Sequence, residues 1–336
     1  AGAIRFNTDS SQMEIYDGNQ WTGIQATSPE LQTGGTRGLF HGFFNDSDTN
    51  RTVDYVQISS TGNAIDFGDM NSNAQFYGGA TSSRTLSYYV GGQNMGGSNS
   101  NQIQYFTMSS TGNGTDYGDL TTAVTYSNSG ASNGTRGLSG GGGYTGGANS
   151  NVIEYFALQT SGSGKDFGDL SAAQFSGPGV ACSKTRSIFT SNAGPSASNY
   201  KYMDYVQTST LGNAADFGDQ SQGFGHHGQG IASNAVRGVL VSSYYAPAKV
   251  NTVEYVTIAT LGNSQDFGDL TQVRIMSGCA ASSTRLVVSN GRTDGPGYVN
   301  TIDYAQIMTT GNFVDFGDST VGSDMRPGAS NGHGGL

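Results

Sequence analysis

The chain has 336 residues, of which 53 are glycine and only 12 % charged, and it carries a formal net charge of −10. That acidity, without a basic stripe, argues against a nucleic-acid partner, because phosphate binding is driven by clustered Lys and Arg. No apolar stretch approaches the ~20 residues that span a bilayer, so membrane insertion is not expected. The 18 Tyr and 16 Phe, spread along the chain, supply the aromatic core that disordered Gly-rich chains lack.

Residues 1–24 stand apart from the rest of the chain. Ile4-Arg5-Phe6-Asn7 alternates, Thr8-Asp9-Ser10-Ser11 is a polar turn, Met13-Glu14-Ile15-Tyr16 alternates again, and Asp17-Gly18 turns toward Trp21, the single tryptophan. This pattern predicts a β-hairpin. A lone hairpin is too small to be stable, so it must dock on something, with Ile4, Phe6, Ile15, Tyr16 and Trp21 as its contact residues. The run Gly2-Ala3-Ile4-Arg5-Phe6-Asn7-Thr8-Asp9, followed by an acid, an aromatic and Asp-Gly before Trp, resembles a short module of bacteriophage tail fibres and related virion appendages. The resemblance implies an attachment element at a stalk or junction, commonly trimeric. Residues 25–35 read as a linker.

From Thr36 onward the chain repeats. Asp-(Phe/Tyr)-Gly-Asp recurs at Asp66, Asp116, Asp166, Asp216, Asp266 and Asp315, at spacings of 50, 50, 50, 50 and 49 residues. A period held that tightly marks repeated supersecondary units. In residues 71–120 one unit reads as four strand-length pieces: Ala74–Ala80, Arg84–Val90, Gln102–Met108 and Thr115–Leu120, with Gly and Asn at the turns. No segment has an apolar stripe at helical spacing, so the fold class is all-β.

Four antiparallel strands repeated around a ring describe a β-propeller blade. Gly91-Gly92 … Gln104-Tyr105 … Tyr117 and Gly141-Gly142 … Glu154-Tyr155 … Phe167 resemble the kelch repeat, although Phe or Tyr replaces the usual Trp and Ser191-Asn192 and Ser242-Ser243 replace the Gly pair. The expected architecture is a six-bladed kelch-like propeller over residues 36–336. Its closure is legible at the ends: Ala329-Ser330-Asn331-Gly332 matches Ala131-Ser132-Asn133-Gly134, whereas the unit opening at Arg37 has no such strand before it. Residues 319–332 should therefore supply the missing strand, since open arrays leave aggregating edges.

Charges repeat with the units. Arg37, Arg84, Arg136, Arg186, Arg237 and Arg285 open strands, and Asp66, Asp69, Asp116, Asp119, Asp166, Asp169, Asp216, Asp219, Asp266, Asp269, Asp315 and Asp318 form the paired aspartates. Asp54, Glu154, Asp204, Glu254 and Asp303 precede the repeated Tyr. Charges repeated once per unit are expected to hold the unit itself together, Arg on a carboxylate or carbonyl and Asp on turn N–H groups. A Ca²⁺ site at the paired aspartates is the functional alternative, but each motif supplies only two carboxylates where the ion takes six to eight oxygens. His226-His227 are adjacent, a poor chelate on a strand. His41 and His333 stand alone, and Cys182 and Cys279 read as reduced structural cysteines.

No nucleophile–base set, metal or cofactor signature emerges, so a non-enzymatic role is expected. The Gly-rich repeat, with Asp-Tyr-Val, Thr-x-Gly-Asn and Asp-Phe-Gly-Asp-Leu, also resembles repeat proteins of marine phage particles. Together the two resemblances imply a virion structural protein, most simply a tail-fibre or spike component that presents the propeller to a host-surface glycan or protein. Its partners would be other virion proteins and further copies of itself, as a trimer. A capsid or neck decoration protein is the structural alternative, and an extracellular propeller enzyme acting on glycans is the alternative of a different class.

Overall fold

The computed structural model describes residues 2–7, 12–24, 36–45, 48–71, 76–93, 97–124, 130–143, 148–174, 179–191, 201–221, 230–241, 244–245, 248–295 and 297–336. All regular structure among them is β, and no helix occurs. The linker at 25–35 and His226-His227 lie outside the described residues.

The N-terminal module is larger than a hairpin. Strands β1 (Ile4–Asn7), β2 (Gln12–Tyr16) and β3 (Trp21–Ile24) form an antiparallel three-stranded sheet, in which Ile4 faces Ile15, Phe6 faces Met13 and Tyr16 faces Trp21. The alternation in Ile4–Asn7 and Met13–Tyr16 forms the first two strands as expected. The third begins at Trp21 because Asp17 accepts the N–H groups of Asn19 and Gln20 and closes the second turn.

The repeats fold into six four-stranded antiparallel sheets, one per unit. Sheet 1 contains Arg37–Phe40, Thr52–Gln57 and Ile65–Asp69. Its fourth strand is Gly328–Ser330, so the C-terminal segment does pair beside the strand that starts at Arg37, with Ser330 opposite Gly38. Sheets 2 to 6 follow in chain order and begin at Gly79, Ala131, Val180, Ile231 and Gly278. Small side hairpins at Phe43–Asn45 with Asp48–Asn50, and at Tyr244–Tyr245 with Ala248–Lys249, extend two units.

The core lies between the sheets. Each pair of neighbours shares an apolar cluster: Leu39, Phe67 and Phe106 for sheets 1 and 2, Tyr88, Tyr117 and Phe156 for 2 and 3, Leu138 and Phe189 for 3 and 4. Ile188 with Val256, and Val241 with Ile307, fill the next two seams, and Phe40 with Val287 joins sheet 6 back to sheet 1. A strand covered on both faces reads as a continuous apolar run, and Arg186–Thr190, with four consecutive buried residues after the arginine, shows why alternation fails there.

One backbone contact repeats in every seam. The glycine turn of each unit, Gly-Asn in all but the third, docks on the Asp-(Phe/Tyr)-Gly-Asp strand of the unit before it. Gly212 N–H donates to the Phe167 carbonyl at 2.9 Å, Ala214 N–H to the Asp169 carbonyl at 2.7 Å, and Asp169 N–H to Asn213 Oδ1 at 3.1 Å. The set closes where Gly62 and Ala64 N–H meet the carbonyls of Phe316 and Asp318 at 2.8 and 2.7 Å. Gly68, Gly118, Gly168, Gly218, Gly268 and Gly317 all have φ between 140 and 153°, and a Cβ on any of them would lie 2.4–2.6 Å from the facing turn glycine's carbonyl oxygen. Glycine is therefore required twice over, by conformation and by space.

Gly168→Ala should cost the roughly 1–3 kcal/mol of a disfavoured backbone conformation plus the seam clash. Gly212→Ala, whose Cβ would meet nothing within 4 Å, should cost only the former. Urea denaturation of the two variants, with Gly168→Ala clearly the less stable, checks this.

Candidate functional site

The repeated arginines are seam residues. Arg37 Nη1 donates to the Met108 carbonyl of the next sheet at 2.8 Å, Arg136 to Thr208 at 3.2 Å, Arg186 to Ile258 at 2.8 Å, Arg237 to Ile307 at 3.1 Å and Arg285 to Ile58 at 3.0 Å. All five are half-buried, and each guanidinium also stacks 4.0–5.0 Å from the Tyr of the acid-Tyr pair in its own sheet. That Tyr in turn meets the motif Phe edge-on, as Tyr155 meets Phe167 at 6.2 Å. Cation–π contacts of this kind contribute about 0.5–1 kcal/mol each at exposed sites. The partners are carbonyls, the second of the two kinds expected.

Arg84 is the exception and corrects the sequence reading. In sheet 2, Leu86 pairs with Thr107 as Arg136 pairs with Ala157, so Leu86 holds the strand-opening position. Arg84 lies two residues earlier, in the turn. The carbonyl it would have reached, on Leu158, accepts the Tyr88 hydroxyl instead. The uneven spacing from Arg37 to Arg84 to Arg136, 47 then 52 residues, is the signal of this shift.

The paired aspartates contribute mainly through their backbones. Asp66, Asp116, Asp166, Asp216, Asp266 and Asp315 are exposed, and their partners Asp69, Asp119, Asp169, Asp219, Asp269 and Asp318 are half-buried or exposed. Asp66 Oδ1 accepts Gly68 N–H at 3.1 Å, a local turn contact. Among the described residues no three His, Cys, Asp or Glu side chains gather as a metal site.

The acids before the repeated Tyr are the buried ones. Asp54, Glu154, Asp204, Glu254 and Asp303, with Gln104 in sheet 2, each accept an N–H from the second residue after the motif in the preceding unit. Ser171 shows the pattern, with N and Oγ both on Asp204 at 2.8 and 2.7 Å. Two of these acids carry ion pairs absent from the sequence reading. Arg326 Nη1 lies 2.7 Å from Asp54 and Arg274 Nη2 lies 3.1 Å from Asp303, all four side chains being 0 % exposed. Only two units have a basic residue there, so no repeat betrayed them.

Along the ring of first strands, small cavities of about 50 and 40 Å³ are lined by Ala80, Gly130, Val180, Ile231, Cys279 and Gly328. Below these, a belt of side chains hydrogen-bonds from sheet to sheet: Ser82 to the Ser330 carbonyl, Ser132 to Ser82 and Ser233 to Cys182, at 2.6, 2.6 and 2.8 Å. His333 rests on this belt, Nε2 3.2 Å from the Ser82 carbonyl and Nδ1 3.6 Å from Cys182 Sγ. Burial pushes the Cys182 thiol up while the imidazole draws it down, with a net lowering. Gly335 N–H, however, donates to Nδ1 at 3.1 Å and needs that nitrogen unprotonated. The thiol and Gly335 N–H thus compete for the one Nδ1 lone pair, and although burial pulls the His333 pKa down, the Cys182 contact raises it overall. His41, in contrast to the half-buried His333, is fully buried, Nδ1 3.1 Å from the Pro327 carbonyl and Nε2 2.9 Å from Ser87 Oγ, and burial lowers its pKa to about 4. Both cysteines are free and buried.

The remaining feature is on the N-terminal sheet. Strand register places Arg5, Glu14, Tyr16 and Trp21 on one face, where Arg5 Nε meets Glu14 at 2.8 Å and its guanidinium lies 4.2 Å from the Trp21 ring. The opposite face carries Ile4, Phe6, Met13 and Ile15, exposed by 59, 58, 44 and 37 %. The expected contact residues thus divide: Ile4, Phe6 and Ile15 share the apolar face, while Tyr16 and Trp21 stack with each other at 5.4 Å on the other. Loops joining the strands vary in length and composition from unit to unit, and the one at Asn192–Tyr202 falls almost wholly outside the described residues.

Compared with known proteins, the chain matches no family model and no curated sequence.

Two measurements test the buried acids. Arg326→Met leaves Asp54 charged, buried and unpaired, which should cost about 3–5 kcal/mol, and adding Asp54→Asn should recover part of it; urea unfolding of the single and double variants reads this. Burial raises the pKa of Glu154, against the opposing hydrogen bonds from Thr121. A folded-state pKa above the unfolded one favours the neutral acid, so its stability contribution is full below the unfolded value and is lost as pH rises through the folded one. Glu154→Gln should therefore gain stability relative to the parent between about pH 4 and pH 7, followed by thermal melting at both ends.

Proposed function

We propose that this protein is a non-enzymatic structural and attachment component of a bacteriophage-type particle, with its six sheets acting as the blades of a kelch-like propeller. The cyclic order of the seams supports the propeller reading, because each sheet packs on the next and sheet 6 packs on sheet 1. The observation that carries the attachment role is the exposed apolar face of Ile4, Phe6, Met13 and Ile15. A three-stranded sheet gains little stability without covering such a face, and four large apolar side chains on one side mark an interaction surface rather than scattered exposure. The resemblance of residues 2–21 to the tail-fibre module supplies the partner class: other virion proteins, or two further copies of the same sheet in a trimer. The rigid propeller would then project its variable loops, such as Gln93–Asn101 and Thr293–Asn300, toward a host-surface glycan or protein.

Phe6→Glu combined with Ile15→Glu should abolish self-association and particle incorporation while leaving the main unfolding transition in place. Sedimentation velocity, particle-binding and thermal melting of the intact chain check this. Association unchanged by both charges would overturn the attachment role, and turnover of a glycan by the purified protein would overturn the non-enzymatic one. Binding to particles without binding to host cells would favour a capsid or neck decoration.

A further inference from the structure

The buried acids of sheets 1 and 6 show what their position accepts. In sheet 6, Arg274 reaches the Asp303 carboxylate, the Val288 carbonyl at 3.1 Å and the Thr301 carbonyl at 3.3 Å. In sheet 1, Arg326 reaches Asp54, the Phe40 carbonyl and the Thr52 carbonyl, the latter two both at 3.3 Å. The pattern is the same twice: the acid, the residue directly across the strand pair from it, and the residue two before it. In sheet 3 those three positions are Glu154, Ser139 and Val152. All three line a cavity of about 120 Å³, together with Thr122, Val124 and Gly141. That exceeds the space a single water needs.

Glu154 is 6 % exposed and has no cationic partner among the described residues. Its contacts from Thr121, N–H at 3.0 Å and hydroxyl, fall on one oxygen, Oε1. No Lys or Arg occurs between Thr121 and Thr135, the stretch that corresponds to the sources of Arg274 and Arg326. Sheet 4 repeats the one-oxygen contact, Ser171 N–H and hydroxyl both falling on Asp204 Oδ2, whereas sheets 2 and 5 resolve the position differently. Gln104 carries no charge in sheet 2, and in sheet 5 Ser264 donates to the second oxygen of Glu254 at 2.5 Å.

We infer that the Glu154 cavity between sheets 2 and 3 is a binding site for a guanidinium group, with the carboxylate of Glu154 as counter-ion and the carbonyls of Ser139 and Val152 as further acceptors. The Val152 carbonyl already accepts Gly141 N–H at 3.0 Å, so the ligand would use its second lone pair. A planar cation with donors in a fork matches one carboxylate and two fixed carbonyls better than a point-like ammonium does. The group arrives either on a free small guanidine or on an arginine side chain presented by another protein.

Isothermal titration of the intact protein with methylguanidinium chloride, at constant sodium concentration, tests the site. One saturable site is expected, at least tenfold weaker in Glu154→Gln, and methylammonium should bind at least tenfold less well to the parent. Gln104 shows that an amide is tolerated at this position, and amide chemical shifts of Gly141 and Val152 in the parent protein give a readout that needs no variant. A parallel titration with the peptide Gly-Arg-Gly separates the sources. Saturation by both probes indicates a site open to a partner's side chain, and saturation by methylguanidinium alone indicates a site for free guanidines. Absence of saturation, binding unchanged in Glu154→Gln, or displacement by potassium as effective as by methylguanidinium would each overturn the inference.

Discussion

The fold depends on a backbone contact: a glycine turn laid on the glycine of a neighbouring strand, with N–H groups donating to the carbonyls either side of it. Because this joint is made by main chain, it tolerates wide change in the side chains around it. The seam between sheets 2 and 3 is filled by Tyr88, Tyr117 and Phe156, and that between sheets 5 and 6 by Val241, Leu286 and Phe313. What the joint does not tolerate is a Cβ on the strand glycine, or a change in the number of residues between turn and strand. The strict period and the Thr-x-Gly-Asn and Asp-Phe-Gly-Asp motifs are therefore the sequence record of one geometric requirement. Unit 3 shows how far it bends: Ser163 replaces the turn Asn, and the two backbone bonds from Gly162 and Gly164 persist at 3.2 and 2.7 Å.

Around that joint the molecule handles buried charge in three ways. The acid can be met by a buried arginine, as at Asp54 and Asp303, replaced by an amide, as at Gln104, or surrounded by hydroxyls, as at Glu254. One ion pair lies in sheet 6 and the other in the adjoining sheet 1, its arginine in the segment that leads into the closing strand. A buried pair adds little net stability over an apolar substitute but penalises any arrangement that separates its members. Placed there, the pairs favour correct register where the chain's two ends meet.

Much of this was legible in the residues. Period, strand content and the pairing of the C-terminal segment with the Arg37 strand followed from repeated turn chemistry, which is local and reads directly. Arg84 misled because an arginine stood near the expected place, and only its spacing revealed that Leu86 had taken the strand position. Arg274 and Arg326 were illegible because they lie in segments of unequal length before the first strands, where the repeat carries no register. The Cys182–His333 contact was hidden because it joins side chains 151 residues apart through ring closure. The third strand of the N-terminal sheet was missed because Trp21 to Ile24 is too short to declare its own periodicity.

Closure by the C-terminal strand has a kinetic consequence. Arg37 and Asn331 are hydrogen-bonded neighbours 294 residues apart, so the first of the six four-stranded sheets to leave the ribosome is the last to be completed. Sheets 2 to 6 can each form from contiguous sequence and stack in order, but sheet 1 waits with three strands and a bare edge until Gly328–Ser330 arrives. Non-local pairing of this kind is slow because the loop entropy is lost before the contact is gained. The nascent chain therefore passes through a species in which the Arg37–Phe40 strand has an unpaired edge, the kind of edge that invites pairing with another chain.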